Sequence, residues 1–139
     1  MEINKHTIEE LNEGVEYSFD KYISQEEINI FCNLTGDFHP LHTSQAYSHE
    51  HGFDNIIAHG LLLSAYASRI VGMKLLGENA IVISQQFSYF KPVYVNDLVT
   101  IKGTISKIDY RFQLLDVKIK IIKENMIMSE GVIKVKMRK

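Results

Sequence analysis

The residue types best suited to chemistry lie close together in residues 35–42, which read Thr-Gly-Asp-Phe-His-Pro-Leu-His. Asp37 supplies a carboxylate, and His39 and His42 supply two imidazoles. A carboxylate beside an imidazole can divide the acid and base roles of a reaction at neutral pH. Pro40 stiffens the segment, because its ring fixes φ and removes a backbone donor. The segment therefore predicts an acid/base site. In the alternative interpretation, Asp37 caps a helix or turn and the histidines line a surface loop.

A second segment of interest, Ala-His-Gly-Leu at residues 58–61, begins the most apolar stretch of the chain. Gly60 stands where a buried helix is predicted to begin, so the N–H groups there lack helical partners and lie at the positive end of the helix dipole. Such groups can bind the oxygen of a polarised carbonyl. Alternatively, Gly60 is an ordinary helix N-cap. Ser68 lies about two turns further along the helix and faces roughly the same side as Gly60. Alternatively, its hydroxyl bonds a preceding backbone carbonyl within the helix.

A metal site is a weaker hypothesis. Five of the six histidines fall within residues 39–59, and four of them form, with one acid, a set of possible zinc ligands: Asp37, His39, His42, His49 and His51. A proline separates His39 from His42, so the two cannot share a helical face, and no His-Glu-x-x-His run is present. We therefore expect no metal. Cys32 falls on the inward face of a predicted helix, where a core thiol is the better interpretation than a nucleophile.

The composition limits the class of protein. The chain has 139 residues, 45% hydrophobic and 23% charged, which is typical of one folded domain spanning residues 1–139. The net charge of −2 gives no electrostatic footprint for nucleic acid. A single cysteine excludes an internal disulfide and favours a reducing, cytoplasmic location. Residues 1–10 are polar and acidic, so we expect no targeting segment. Charges interrupt the apolar stretch 61–76, so we expect no membrane insertion.

These residues need elements that hold them in place, and hydrophobic periodicity predicts those elements. A short strand is expected at residues 15–19 and a helix at 25–34, where Ser24 and Glu27 have the form of a capping box. A loop is expected at 35–41 and a short helix at 44–50. A 17-residue helix is expected at 60–76, apolar on most sides. Period-two patterns then predict four strands, at 81–90, 98–108, 111–123 and 126–137. Short connections favour antiparallel neighbours, so the chain is predicted to be α+β, with a sheet curled around the helix.

Together these motifs resemble the MaoC-like dehydratase family, which includes the (R)-specific enoyl-CoA hydratases. Residues 34–42 are similar to the family's Gly-Asp-x-Asn-Pro-x-His signature. Residues 57–62 are similar to its Ala-His-Gly opening of the central helix, and 87–93 to the strand after that helix. The resemblance covers about residues 15–137. It implies the hot-dog fold, a long central helix wrapped by a curved antiparallel sheet, usually paired as a dimer or a double hot dog. For this chain we expect a homodimer or a higher homo-oligomer.

The resemblance also implies roles for individual residues. Asp37 and His42 would be the catalytic pair that activates a water molecule and handles the proton at the substrate α-carbon. The N–H of Gly60, with His59 beside it, would bind the thioester carbonyl, and Ser68 would support the site. Pro40 and His39 would shape the loop. His39 departs from the family, which has asparagine there; histidine also donates and accepts hydrogen bonds, but it is bulkier and can be charged.

The implied activity is that of a hydratase/dehydratase acting on a 2-enoyl or (3R)-3-hydroxyacyl thioester, without a cofactor. The carrier would be coenzyme A or acyl carrier protein. Both are anionic, so basic residues near the pocket mouth are expected, with Lys91 and Lys74 as candidates. The histidine at position 39 keeps open a non-catalytic acyl-thioester-binding or structural subunit of a hetero-oligomer. A hot-dog thioesterase is the third hypothesis.

Overall fold

The fold is a curved five-stranded antiparallel sheet around one central helix. The computed structural model describes residues 2–139. The strands are β1 (Glu16–Tyr22), β2 (Ala80–Tyr89), β3 (Leu98–Asp109), β4 (Leu114–Lys123) and β5 (Met126–Met137). The helices are α1 (Gln25–Thr35), α2 (Pro40–Thr43), α3 (Gln45–Glu50) and α4 (Gly60–Arg69), preceded by a 3₁₀ turn at Ile8–Glu10. The strand order is β1-β3-β4-β5-β2, with every pairing antiparallel. The predicted α+β hot-dog architecture is confirmed.

The central helix changes geometry before it ends. A single α-helix over residues 60–76 was expected, but the α-helical part stops at Arg69 and a π-helical segment continues over Ile70–Leu75. The N–H of Leu76 donates to the carbonyl of Val71, the five-residue spacing of a π-helix. The start and the total span of the helix are therefore as expected. The prediction of one uniform helix was wrong, because the periodicity of apolar residues does not distinguish the two hydrogen-bond patterns.

The core forms where this helix crosses the sheet. The helical segment contacts β3, and its buried residues share one hydrophobic core with the almost fully buried alternate residues of β3 and β4. Gly103 of β3 permits the close approach, because a Cβ there would lie 2.7 Å from Cγ2 of Ile70. The helix is apolar on most sides and the sheet curls around it as predicted, but one face is left uncovered, where Leu61 is 66% exposed and Ala65 is also exposed.

The first helix begins as predicted but with half of its capping box. Ser24 Oγ accepts a hydrogen bond from the N–H of Glu27 at 3.1 Å. The Glu27 carboxylate does not return to Ser24. It accepts from Lys21 Nζ at 2.6 Å and from the Tyr66 hydroxyl at 3.1 Å. Glu27 thus connects α1 to both β1 and the central helix. The predicted bond from Glu27 to Ser24 does not form, because the carboxylate binds Lys21 and Tyr66 instead.

Two boundaries differ from the sequence prediction for local reasons. The loop predicted at 35–41 is shorter, because Pro40 begins the helical turn α2. The strand predicted from residue 111 begins at Leu114, because residues 110–113 form a turn in which Asp109 Oδ1 accepts from the N–H of Phe112. Within residues 2–139, none of the helices combines the length and the apolar character needed to cross a membrane.

Candidate active site

Local hydrogen bonds orient the Asp37 carboxylate. Helix α1 ends at Thr35 and is capped by Gly36, whose φ of 79° is left-handed and whose N–H donates to the carbonyl of Cys32 at 2.8 Å. Thr35 Oγ1 then accepts from the N–H of Asp37, and Asp37 Oδ1 accepts from the N–H of His39, both at 3.2 Å. The carboxylate is therefore held by the backbone of its own turn, while the residue itself remains exposed.

The imidazole of His42 is oriented by a tertiary contact. Pro40 begins α2, and one helical turn places His42 with Nδ1 2.6 Å from the carbonyl of Ile57. A carbonyl only accepts, so the neutral ring carries its proton on Nδ1 and presents an unprotonated Nε2. The predicted acid/base pair is brought together, since a carboxylate oxygen of Asp37 lies within 4.8 Å of a ring nitrogen of His42.

His59 lies beneath the pair and connects the two motifs. It is 2% exposed, and its ring stacks on His42 with centroids 3.7 Å apart and planes 23° apart. Its Nε2 lies 3.1 Å from the carbonyl of Asp37, to which it can donate. His59 therefore supports Asp37 and His42 from inside. The sequence had placed it beside Gly60 as a substrate-binding residue.

Burial lowers the pKa of His42. Desolvation is the largest cause, the charge of His59 acts in the same direction, and the hydrogen bond to Ile57 and the charge of Asp37 oppose them. The pKa therefore lies below the ordinary 6.5, so the ring is neutral at neutral pH. A neutral imidazole can accept a proton, which is what a general base requires.

This pKa shift predicts a pH-dependent stability. Because the pKa is lowered in the folded state, the unfolded chain binds more protons at acidic pH. The stability that the folded state gains by keeping His42 neutral is fully present above about pH 6.5. It is lost as pH falls through the folded-state pKa of His42. We expect the free energy of unfolding to fall more between pH 7 and pH 5 in the wild type than in His42→Gln, as measured by urea denaturation. Identical pH dependence in the two proteins would contradict this account.

A cavity of about 330 Å³ opens beside His42. Its lining includes Gly60, Tyr89 and Lys91, together with the apolar residues Ile57, Ala58, Leu63, Phe90, Pro92 and Val93. Gly60 is the first residue of α4, so its N–H has no partner within the helix. The cavity therefore contains the imidazole of His42, the N-terminus of α4 and an apolar wall. This combination suits a ligand that has an acyl chain and a carbonyl group.

The close approach of Tyr89 explains the glycine at position 60. A Cβ there would lie 3.0 Å from Cζ of the Tyr89 ring. We therefore expect Gly60→Ala to displace Tyr89 and the N–H group that is predicted to bind the substrate carbonyl. The misplaced substrate should lower kcat by about ten- to a hundredfold. Gly72→Ala is the matched control, because a Cβ at Gly72 meets nothing within 4 Å. Steady-state kinetics of both variants provide the measurement, and equal activities would remove this role for Gly60.

Ser68 does not join this cavity. The eight residues from Gly60 to Ser68 turn the helix about 80° beyond two full turns. Ser68 is exposed and lines a separate groove with Ser64, Val82 and Ile83. Within one chain, the arrangement therefore separates Ser68 from the other predicted site residues.

The metal hypothesis finds a partial cluster. Asp37, His42 and His59 each offer one ligand atom, and these atoms lie within 4.8 Å of one another. The two imidazoles are stacked, so their ring nitrogens point side by side, whereas zinc ligands converge tetrahedrally on one ion. His49 Nε2 lies 2.9 Å from the carbonyl of Asp54, and His51 Nδ1 lies 2.8 Å from that of Tyr47. This geometry does not fit a metal centre, and the absence of a metal stays a prediction.

Two contributors were not identified from the sequence. Tyr89 was not predicted as a site residue, yet its ring covers Gly60. The carbonyl of Ile57 orients His42, although the pattern of side chains gives no signal for a backbone acceptor. Ile57 directly precedes the Ala-His-Gly motif, and its N–H donates to the carbonyl of Leu41 at 2.9 Å, which ties the two motifs together a second time.

The fold and this site define a hot-dog protein in which a carboxylate and a neutral imidazole lie close to a helix N-terminus. The family described as MaoC like domain matches residues 7–126, and the chain belongs to that family. The (R)-specific enoyl-CoA hydratase of Rhodospirillum rubrum is 34% identical over 73% of this chain and 70% of its own length. The 3-hydroxybutyryl-CoA dehydratase of Methylorubrum extorquens is 32% identical over 72% of this chain and 64% of its own length.

Solved structures agree with the fold. The (R)-hydratase from Aeromonas caviae, described as involved in PHA biosynthesis, superposes with a TM-score of 0.89 at 27% identity, covering 93% of this chain and 98% of that one. A chain of a two-protein complex from Mycobacterium tuberculosis superposes with a TM-score of 0.78 at 20% identity, covering 91% and 98%. The second similarity concerns the fold alone.

Proposed function

We propose that this protein is a hydratase/dehydratase that interconverts a 2-enoyl thioester and a (3R)-3-hydroxyacyl thioester. The observation that carries the proposal is the neutral imidazole of His42, which opens onto the same cavity as the first N–H of α4 and has the Asp37 carboxylate within 4.8 Å. The relatives named above catalyse reactions of this class according to their names. They support the same hydro-lyase activity here.

The reaction needs one proton moved at each end of the double bond. In hydration, Asp37 and His42 hold the water and remove its proton while its oxygen forms a bond to the β-carbon. The electron pair of the double bond moves toward the thioester carbonyl, and the N–H of Gly60 stabilises the negative oxygen. The proton then passes to the α-carbon, which restores the thioester. Dehydration follows the same steps in reverse.

The position of Lys91 supports the proposal that the substrate has an anionic carrier. It is exposed and lines the cavity opening, where its ammonium can meet the phosphates of coenzyme A or of an acyl carrier protein. Lys74, the other candidate, lies in the π-helical segment at the opposite end of the central helix from Gly60. Its distance along the helix removes the argument for a role at the opening.

The test is the absorbance of the enoyl-thioester band after purified protein is mixed with crotonyl-CoA. We expect the band to decrease, without release of free thiol and without change after dialysis against EDTA. Release of thiol would indicate a thioesterase instead. An unchanged band together with saturable binding of a non-reactive acyl-CoA would indicate a non-catalytic binding subunit.

We also propose a homodimer formed through strand β2. This strand is at the end of the sheet and pairs only with β5. Its residues Ile81, Val82 and Ile83 are 47%, 49% and 52% exposed, although a long apolar edge strand left uncovered is prone to association. The pairing register shifts between Val82 and Ser84, so Ile83 lies in the irregular part of the strand. A second copy paired along β2 would cover this edge and the groove that contains Ser68.

The dimer makes a measurable prediction. We expect the wild type to sediment as a dimer or higher homo-oligomer, and Ile83→Lys to shift it toward monomer by placing a charge in the interface. Val132→Lys is the control, because Val132 is also exposed but belongs to β5, which is paired on both sides. Analytical ultracentrifugation gives the masses. A monomeric wild type at micromolar concentration would contradict the proposal.

The location and the lack of a cofactor remain proposals. Cys32 is the only cysteine and is 1% exposed, and burial raises the pKa of its thiol, which favours an unreactive structural role. We propose a reducing compartment, the cytoplasm, and cell fractionation would test it.

A further inference from the structure

His59 is a buried histidine at a position that an apolar aromatic side chain could fill. It is 2% exposed, and its ring lies between that of Phe31, with centroids 4.6 Å apart, and that of His42, with centroids 3.7 Å apart. Its Nδ1 is buried and has no hydrogen-bond partner among the described residues 2–139. Burial of an unpaired nitrogen costs stability, and a phenylalanine ring would avoid that cost. The other ring nitrogen, Nε2, therefore has to explain why a histidine is present.

Nε2 of His59 contacts the backbone of the proposed acid. It lies 3.1 Å from the carbonyl of Asp37, and a carbonyl only accepts, so Nε2 carries the ring proton. Cys32 Sγ lies 3.6 Å from the same nitrogen, but a thiol sulfur is a weak acceptor. Two other hydrogen bonds of Asp37 stay within its own turn, one to Thr35 Oγ1 and one from the N–H of His39. The bond from His59 therefore connects this turn to the segment that precedes α4.

The segment that contains His59 also holds the proposed base and the proposed carbonyl-binding group. The carbonyl of Ile57 accepts from Nδ1 of His42 at 2.6 Å. Gly60, the first residue of α4, directly follows His59 in the chain. The imidazole of His42 and the N–H of Gly60 are thus placed by neighbouring residues of one short segment. The bond from His59 to the Asp37 carbonyl adds the carboxylate to the same arrangement.

We propose that His59 is a positioning residue: its Nε2–H holds the carbonyl of Asp37 and so places the Asp37 carboxylate beside His42. This role differs from the substrate-binding role that the sequence predicts for His59. It rests on the proposed function for its effect on turnover, because His59 acts through Asp37 and not on the substrate. A misplacement of about 1 Å can cost about a hundredfold in rate, so the effect belongs in kcat and not in KM.

Two substitutions separate the hydrogen bond of His59 from the packing of its ring. His59→Phe keeps an aromatic ring between Phe31 and His42 but has no donor. His59→Gln loses the ring but keeps an amide N–H, on a nitrogen the same number of bonds from Cβ as Nε2. For hydration of crotonyl-CoA, we expect kcat to fall by about ten- to a hundredfold in His59→Phe and by less than about threefold in His59→Gln. KM should change little in either variant.

Stability should follow the opposite order in these two variants. His59→Phe removes the unpaired buried nitrogen, whereas His59→Gln leaves part of the space beside Phe31 and His42 unfilled. We therefore expect a higher midpoint of urea denaturation for His59→Phe than for His59→Gln. A residue that served packing alone would give the same order in stability and in kcat. A kcat that is higher in His59→Phe than in His59→Gln would overturn the proposal.

A double-mutant cycle tests whether His59 acts through Asp37. In an Asp37→Asn background, which already lacks the carboxylate, His59→Phe should lower kcat by less than about twofold. An undiminished loss in that background would contradict the proposal. Ser48→Ala is the matched control, because Ser48 is also buried and its Oγ donates to the backbone carbonyl of Leu41 at 3.3 Å. That carbonyl keeps the N–H of Ile57 as a second donor, so we expect wild-type kcat.

Nuclear magnetic resonance provides a readout that needs no turnover. We expect nitrogen spectra of the wild type to show the His59 ring protonated at Nε2. The carbonyl carbon signal of Asp37 should shift in His59→Phe and much less in His59→Gln. A proton on Nδ1 of His59 instead of Nε2 would refute the positioning role. If the spectra are as expected but the wild type hydrates no enoyl thioester, the contact with Asp37 is supported and the proposed function is contradicted, so the two failures are distinguishable.

Discussion

Asp37→Asn is expected to lower kcat for hydration of crotonyl-CoA by about 10²–10⁴-fold, the usual contribution of a positioned acid/base group. The substitution removes the charge and the proton acceptor but keeps the shape. The amide oxygen of asparagine can still accept from the N–H of His39, as Asp37 Oδ1 does at 3.2 Å. The fold of the loop should therefore be unchanged, and the loss should appear in kcat with a small effect on KM.

The chain offers a matched control for this variant. Asp109 accepts from the N–H of Phe112 at 3.1 Å through Oδ1, so it occupies a comparable turn in another part of the sheet. Asp109→Asn should retain wild-type activity, as measured by the same absorbance assay. Circular dichroism would establish that both variants are folded. Full activity in Asp37→Asn would exclude the carboxylate from the mechanism.

His42→Ala is the second variant for which a loss of about 10²–10⁴-fold in kcat is expected. It removes the neutral imidazole whose Nε2 faces away from its bond with Ile57 and lies in the cavity that also contains Gly60. Because the truncation leaves a space in that cavity, added imidazole should restore part of the activity. Rescue of this kind separates loss of the proton-transfer group from loss of folding.

His51→Ala is the corresponding control. His51 Nδ1 lies 2.8 Å from the carbonyl of Tyr47, so it too donates to a backbone carbonyl, but it is exposed on the surface after α3. We expect activity within about twofold of the wild type, in keeping with the small effect of most surface substitutions. If His51→Ala lost as much activity as His42→Ala, the assay would be reporting on the stability of the loop region.

Much of the fold depends on signals that act over a few residues. Ser24 begins α1 as predicted, Ser44 begins α3 by accepting from the N–H of Tyr47 at 3.1 Å, and alternating apolar residues mark each strand to within about three positions. The errors arose where a distant partner intervened. Glu27 bonds Lys21 and Tyr66 instead of Ser24, because those groups reach it from other elements.

The candidate site likewise has features that local sequence signals predicted and features that depend on the three-dimensional arrangement. The sequence predicted Asp37 and His42 as a pair, and their proximity results from one turn stiffened by Pro40. It also predicted a free N–H at Gly60, since the start of a helix always leaves one. Their roles in catalysis remain predictions. Ser68 was expected on the side of Gly60, but the helical rotation over eight residues places it in another groove.

The sequence by itself determined the kinds of element, the order in which they occur and the residues that could transfer a proton. These depend on backbone preferences and on hydrogen bonds between neighbours, which any stretch of chain expresses locally. Only the tertiary structure decided that His59 lies beneath His42, that Tyr89 covers Gly60 and that β2 is left as an uncovered edge. Those contacts join residues far apart in the chain, and their geometry depends on sheet register and on packing around the central helix, which no local pattern encodes.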